Sequence, residues 1–189
     1  MKKSIESEMH VTCQSIPDVM VIEPKVFGDG RGFFYESFNQ RAFSEATGTN
    51  HQFVQDNHSR SSKGVLRGMH YQIGKPQGKL VRVVQGAIFD VAVDLRKLSP
   101  TFGQWVGKVL SAENKLQMWV PPCFAHGFLA LTDVSEVIYK TTDYWDPHCE
   151  NIIRWDDPLI RIDWPLSNPP VLAAKDAVAP LLDLNGLYY

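Results

Sequence analysis

Apolar residues along this 189-residue chain recur in short runs separated by turn residues, and the longer runs alternate with period two. Val19–Ile22 is an apolar run closed by Glu23-Pro24 and reads as a strand. Gly28-Asp-Gly-Arg-Gly32 is a turn cluster, after which Phe33–Phe38 resumes an extended pattern. Asn39 can accept from the first free amides of a short helix running to Ala46, and Gly48 can end it in a left-handed conformation. Beyond this point strand patterns dominate: Phe53-Val54, Val65-Leu66, Met69–Tyr71, Lys79–Val84, Ala87–Leu95, Phe102–Leu110, Gln117–Val120, Gly127–Leu131 and Glu136–Thr142. Gln85-Gly86 between two of these runs predicts a tight hairpin. In the run that follows it, Ile88, Asp90, Ala92 and Asp94 share one parity, while Phe89, Val91, Val93 and Leu95 share the other. A strand with two different faces is expected there.

Many short strands punctuated by turns predict a mainly β protein, a sandwich or barrel with few helices. The C-terminal part differs, because Pro158, Pro165, Pro169, Pro170 and Pro180 break it into short pieces. Trp155, Trp164 and Leu166 predict that this segment, from about residue 150 to 189, packs on the barrel rather than forming a second domain. One domain over 1–189 is expected, with residues 1–15 as an N-terminal extension.

Composition narrows the function classes. With 44% hydrophobic and 21% charged residues the chain can bury a core, so disorder is not expected. A formal net charge of −2 without basic runs argues against nucleic acid. No apolar stretch approaches the roughly 20 residues that span a bilayer. The first ten residues contain no apolar leader core, so a cytoplasmic location is expected. Cys13, Cys123 and Cys149 are odd in number and far apart, which predicts neither a disulfide framework nor a zinc site. Cys123, three residues before His126, reads as a buried small side chain rather than a nucleophile.

Two histidines lie in apolar, strand-like surroundings with polar company. His70 follows Arg67 and precedes Gln72, and His126 ends Phe124-Ala-His. Imidazole exchanges protons near neutrality, its unperturbed pKa being roughly 6.5. Gln55, Asn57, Arg67, His70, Gln72, Lys79, Arg82, His126, Tyr139 and Lys140 are candidates for a barrel lumen. Strand alternation sends about half of such residues outward, and Arg82 and Lys140 fit that outcome best. His70 is followed by Tyr71 and Gln72 rather than by the second histidine of a His-x-His metal set, so no metal is expected.

Eight segments then occur in one order: Phe27-Gly-Asp-Gly-Arg-Gly-Phe-Phe34, Gln55-Asp-Asn-His-Ser59, Leu66-Arg-Gly-Met-His-Tyr-Gln72, Gly78-Lys-Leu-Val-Arg82, Asp94-Leu-Arg96, Ser99-Pro-Thr-Phe-Gly103, Phe124-Ala-His-Gly-Phe128 and Ala174-Lys-Asp-Ala177. In these the chain resembles the dTDP-4-dehydrorhamnose 3,5-epimerase family from about Ile16 to about Leu182. The resemblance implies a cupin-like jelly-roll barrel, a homodimer, no cofactor, and a dTDP-4-keto-6-deoxyhexose substrate. It implies that His70 is the general base, Asp176 the carboxylate that supports it, Tyr139 the acid on the other face, and Lys79 the cation at the C4 oxygen. It places Arg31, Glu36, Gln55, Asn57, Arg67, His126, Glu150 and Lys175 at substrate-binding positions, with Arg31, Arg67 and Lys175 suited to a diphosphate. Tyr144 and Trp145 both offer a face for thymine, and Trp145 stands where the family often has tyrosine. The rival readings are a C3-only epimerase, a non-catalytic sugar-binding barrel and a metal-dependent cupin.

Overall fold

The computed structural model describes residues 9–183. These form thirteen strands and two short helices: β1 (His10–Cys13), β2 (Met20–Glu23), β3 (Phe27–Asp29), β4 (Gly32–Phe34), α1 (Gln40–Thr47), β5 (Gln55–Ser62), β6 (Leu66–Gln72), β7 (Lys79–Gln85), β8 (Ala87–Asp94), β9 (Trp105–Ser111), β10 (Gln117–Val120), β11 (Phe124–Ala130), β12 (Val134–Thr141), β13 (Glu150–Ile152) and α2 (Ala174–Ala177). Two antiparallel sheets carry most of them. One has six strands in the order β1-β2-β10-β7-β12-β5, the other five in the order β13-β6-β11-β8-β9. The fold is the cupin-like β architecture that the turn-punctuated pattern and the resemblance led us to expect. Part of the N-terminal extension, residues 1–8, and the end of the C-terminal segment, residues 184–189, lie outside the described residues. Residues 10–13 within that extension are an edge strand paired with β2.

Three apolar clusters hold the layers together. Between the sheets, Val81, Val83, Met118 and Val137 meet Ile88, Ala92, Leu110 and Phe124. On the outer face of the five-stranded sheet, Val91, Val93, Leu95 and Leu129 are covered by Ile153, Ile160, Trp164 and Leu182 of the C-terminal segment. The two parities of β8 thus enter two different apolar layers, which is what its alternation specified. Outside the six-stranded sheet, Ile22, Leu80 and Trp119 pack against Phe43 of α1. Asn39 accepts from the amides of Arg41 and Ala42, and Gly48 at φ 69° ends that helix, as its sequence indicated. A buried leucine or phenylalanine contributes about 1.5–3 kcal/mol through such burial.

Two local features depart from the pattern reading. Gln85-Gly86 does not make a hairpin, because β7 and β8 belong to different sheets. It is a corner at which the chain crosses from one layer to the other. Turn chemistry is the same in both settings, and only long-range pairing separates them. A side chain at position 86 would meet the carbonyl oxygen of Val134 at 2.1 Å, and φ there is 71°, so glycine is required. The second departure is in β6, where Leu66 and Met69–Tyr71 belong to one strand with a register irregularity, Val65 lying just before it. His126 pairs with His70 but Phe128 pairs with Arg67, so β6 carries one extra residue there. That bulge has a chemical consequence. Residues three apart on a regular strand face opposite ways, yet Arg67 and His70 both reach the interior. Among the described residues no helix is long and apolar enough to cross a membrane.

Candidate active site

The two sheets diverge around a cavity of about 410 Å³. From the six-stranded sheet it receives Gln55, Asn57 and Ser59 of β5, Lys79 of β7 and Tyr139 of β12. From the five-stranded sheet it receives Arg67 and His70 of β6, His126 of β11 and Glu150 of β13. Trp145 stands at the rim, and Lys175 and Asp176 enter from α2.

His70 and Asp176 form a close pair: Nε2 donates to Oδ1 at 2.7 Å. Asp176 is buried and His70 is one-quarter exposed, so the carboxylate is shielded while the imidazole faces the cavity. With Nε2 committed, Nδ1 is the ring atom free to take a proton. A buried carboxylate beside it stabilises the imidazolium that results.

Tyr139 lies on the opposite sheet from His70 and lines the same cavity. Burial raises its pKa, Arg67 opposes that rise and Glu150 adds to it. The phenol is therefore protonated at neutral pH and available as a donor. Lys79 is buried, and its Nζ reaches the carbonyl oxygen of His70 at 3.5 Å. Burial brings its pKa down to about 8, with Asp90 and Glu150 acting in the opposite direction. It is a poorly solvated cation, suited to hold an oxyanion.

The binding candidates fall into two groups. Arg67 donates to the hydroxyl of Ser61 at 3.0 Å and to the carbonyl of Arg60 at 3.1 Å. Gln55 donates to Asn57 at 2.9 Å. Lys175 bonds both carboxylate oxygens of Glu150, at 2.9 and 3.0 Å. Burial alone would raise the Glu150 pKa, but Lys175 and His70 bring it below the usual value, so it is an anion. His126 is buried and bonds Asp90 at 2.8 Å through Nε2. Arg67, Gln55, Asn57, Lys175, Glu150 and His126 line the cavity, and Asp90 does not.

Three candidates do not. Arg31 and Glu36 belong to the β3–β4 hairpin and its exit, both are exposed, and the Arg31 side chain is 91% exposed with Asp29 as its partner. Tyr144 is 63% exposed and is held through its backbone, its carbonyl accepting from Gln72 and its amide donating to Asp143. Sequence spacing could not separate it from Trp145. The local geometry does, because Gln55 accepts from the Trp145 amide at 3.0 Å and Gln72 accepts from the Asp146 amide at 2.8 Å. Gln77 donates to the Asp143 carbonyl at 2.9 Å. Three glutamines thus hold the segment that carries the Trp145 ring. Arg82 and Lys140, expected to face outward, are absent from the cavity lining, and Lys140 pairs with Asp56.

Gln77, Ser59, Tyr71 and Phe128 line the cavity without having been singled out. Ser59 shared the parity of Gln55 and Asn57, which was a usable signal. Asp90 was visible as an acid between Ile88 and Ala92 on the parity that also carries Asp94. Cys123 is partly buried, and its burial raises the thiol pKa, which is the reverse of an activated nucleophile. Among the described residues no three His, Cys, Asp or Glu side chains converge as a metal-ligand set.

Comparison with known proteins identifies the family. The model of the dTDP-4-dehydrorhamnose 3,5-epimerase family matches residues 13–183. A dTDP-4-dehydrorhamnose 3,5-epimerase from Pseudomonas aeruginosa is 63% identical over 168 residues, 89% of this chain and 93% of that one. Among solved structures, the dTDP-6-deoxy-D-glucose-3,5-epimerase of Legionella pneumophila, in complex with dTDP-4-keto-L-rhamnose, superposes with a TM-score of 0.92 at 52% identity, covering 95% of this chain and 97% of that one. A 3'-monoepimerase from Streptomyces bikiniensis, in complex with dTDP-quinovose, superposes with a TM-score of 0.84 at 34% identity, covering 92% and 87%. This chain belongs to the dTDP-4-dehydrorhamnose 3,5-epimerase family.

Proposed function

We propose that the protein epimerises C3 and C5 of dTDP-4-dehydro-6-deoxy-D-glucose, giving dTDP-4-dehydro-L-rhamnose. The observation that carries this reading is that a carboxylate-supported imidazole and a protonated phenol enter one cavity from opposite sheets. The C4 ketone acidifies the hydrogens on both neighbouring carbons. Nδ1 of His70 takes one of them, and the electron pair left on carbon moves onto the C4 oxygen as an enolate. Lys79 balances that oxyanion. The Tyr139 phenol then delivers its proton to the same carbon from the other face, inverting it. The imidazolium loses its proton and the phenolate regains one through solvent, so the step has no net redox change. Repetition at the second carbon completes the reaction.

The rest of the molecule holds the nucleotide. Trp145 provides a flat face for thymine, Arg67 and Lys175 provide charge for the diphosphate, and Gln55, Asn57, Glu150 and His126 contact the sugar. The protein acts as a homodimer. Support for this comes from the β3–β4 hairpin, which exposes Phe33 and Phe34 at 63% and 71% and carries Arg31 away from its own cavity. Exposed phenylalanines side by side on one hairpin fit an interaction surface. Arg31 and Glu36 then serve the cavity of a second copy. The test is turnover of the keto sugar in heavy water with proton NMR: exchange at both carbons supports the double epimerase, and exchange at C3 alone supports the monoepimerase reading.

A further inference from the structure

Asp90 is fully buried, on the parity of β8 that otherwise contributes Ile88 and Ala92 to the apolar layer between the sheets. Its Oδ1 accepts from Nε2 of His126 at 2.8 Å, while its Oδ2 is buried with no hydrogen-bond partner. A carboxylate kept only for packing would have both oxygens satisfied, or would be replaced by an apolar side chain like its neighbours. We propose that Asp90 is a positioning residue for the epimerisation: it holds His126 in one tautomer and supplies the negative charge against which Lys79 stays cationic. The inference rests on the function proposed above and assigns a residue outside the cavity lining.

With Nε2–H given to Asp90, a neutral His126 turns the lone pair of Nδ1 to the substrate. Burial lowers its pKa, Asp90 opposes that, and Lys79 and His70 lower it further, so neutrality is the resting state. Such a ring accepts from a sugar hydroxyl and does not compete with Lys79 for the oxyanion. Of the charged groups that act on Lys79, Asp90 of β8 and Glu150 of β13 raise its pKa and Lys175 of α2 lowers it, and His70, His126 and Tyr139 line the same cavity as Lys79. Glu150 is already engaged by Lys175, and of the two carboxyl groups Asp90 has the larger influence on Lys79.

The test compares the unmodified protein with Asp90→Asn. Loss of the charge is expected to move the alkaline limb of kcat/KM, set by Lys79, to lower pH by about one unit, with dTDP affinity unchanged within about twofold. A limb superimposable on that of the unmodified protein would overturn the proposal. Nitrogen NMR of the unmodified protein needs no variant. It is expected to show His126 neutral with the proton on Nε2 at about pH 7; an imidazolium, or a proton on Nδ1, would equally overturn it. If the unmodified protein fails to turn over the keto sugar, the functional reading falls, while the NMR result still decides the tautomer.

Discussion

Nε2 of His70 stands 2.7 Å from Oδ1 of Asp176 across a separation of 106 residues. The aspartate comes from a four-residue helix in the proline-rich C-terminal segment, and the histidine from a bulged strand of the barrel. The pair therefore forms only when the segment docks through Trp164, Ile160 and Leu182 on the outer face of the sheet. In the proposed mechanism, docking of the segment is what brings the supporting carboxylate to the base.

Replacing His70 with alanine should lower kcat by about two to four orders of magnitude, the usual contribution of a general base. Binding of dTDP should persist, because Trp145, Arg67 and Lys175 are untouched. Asp176→Asn should retain more activity than His70→Ala, since the imidazole remains in place. Steady-state rates together with dTDP titration check both.

Tyr139→Phe separates the two halves of the reaction. Abstraction by His70 needs no phenol, so solvent deuterium should still enter the substrate while inverted product forms far more slowly. Equal loss of exchange and product would assign the phenol a different role.

The activity should decline with rising pH through about 8. Burial brings Lys79 from 10.5 down to about 8, so above that value the amine is neutral and no longer balances the oxyanion. Lys79→Met should lower kcat by a factor corresponding to about 2.7–4 kcal/mol, the usual loss of an oxyanion donor, and should abolish this alkaline limb. A pH–rate profile of both proteins checks this.

The motif Asp94-Leu-Arg96 with Ser99–Gly103 predicts stability rather than catalysis. Asp94 is fully buried and accepts from Arg96 at 2.7–3.0 Å, Ser99 at 2.6 Å and Thr101 at 2.7 Å. Burial would raise its pKa, but Arg96 and the hydroxyls bring it from 3.8 to about 2. The folded-state pKa is depressed, so the stabilisation is present above the unfolded value and is lost as pH falls toward 2. Asp94→Asn should cost about 2–3 kcal/mol near neutrality, with little difference at the acid end, as measured by urea unfolding at several pH values.

A dimer mixing experiment tests the hairpin. Arg31→Ala and His70→Ala proteins should each be weak alone. Co-refolded, they should recover activity, because one cavity of the hybrid then holds both wild-type residues. Sedimentation as a monomer with no recovery would contradict the shared site.

The strand pattern of β8 and the capped helix α1 were readable because each depends on local periodicity and local hydrogen bonding. Leu95 and Ile88 show their faces by parity alone, and Asn39 and Gly48 mark helix ends by chemistry that acts within a few residues. Gln85-Gly86 was not decidable, because a hairpin and an inter-sheet corner share their turn residues and differ only in which strand lies opposite. The bulge at Gly68 was likewise hidden: a glycine is compatible with many conformations, and only the approach of Gly127, 2.5 Å from where a side chain would begin, demands it. Of the candidate site, the polar residues on β5, β7, β11 and β12 were legible from type and alternation, whereas on β6 type alone marked Arg67 and His70, because the bulge breaks the alternation between them. Asp176 was not, since nothing local distinguishes it from a solvated turn aspartate; the family resemblance alone pointed to it. Arg31, Glu36 and Tyr144 show the converse, positions carried by resemblance that a single chain does not bring to its own cavity.

The most direct test of the central claim, that His70 and Tyr139 act from opposite faces of one bound keto sugar, is proton NMR of that sugar incubated with the enzyme in heavy water. The account predicts loss of the C3 and C5 proton signals with formation of the doubly inverted product in the unmodified enzyme, and exchange without inversion in Tyr139→Phe. Retention of both proton signals with the unmodified enzyme, or full inversion by Tyr139→Phe, would contradict it.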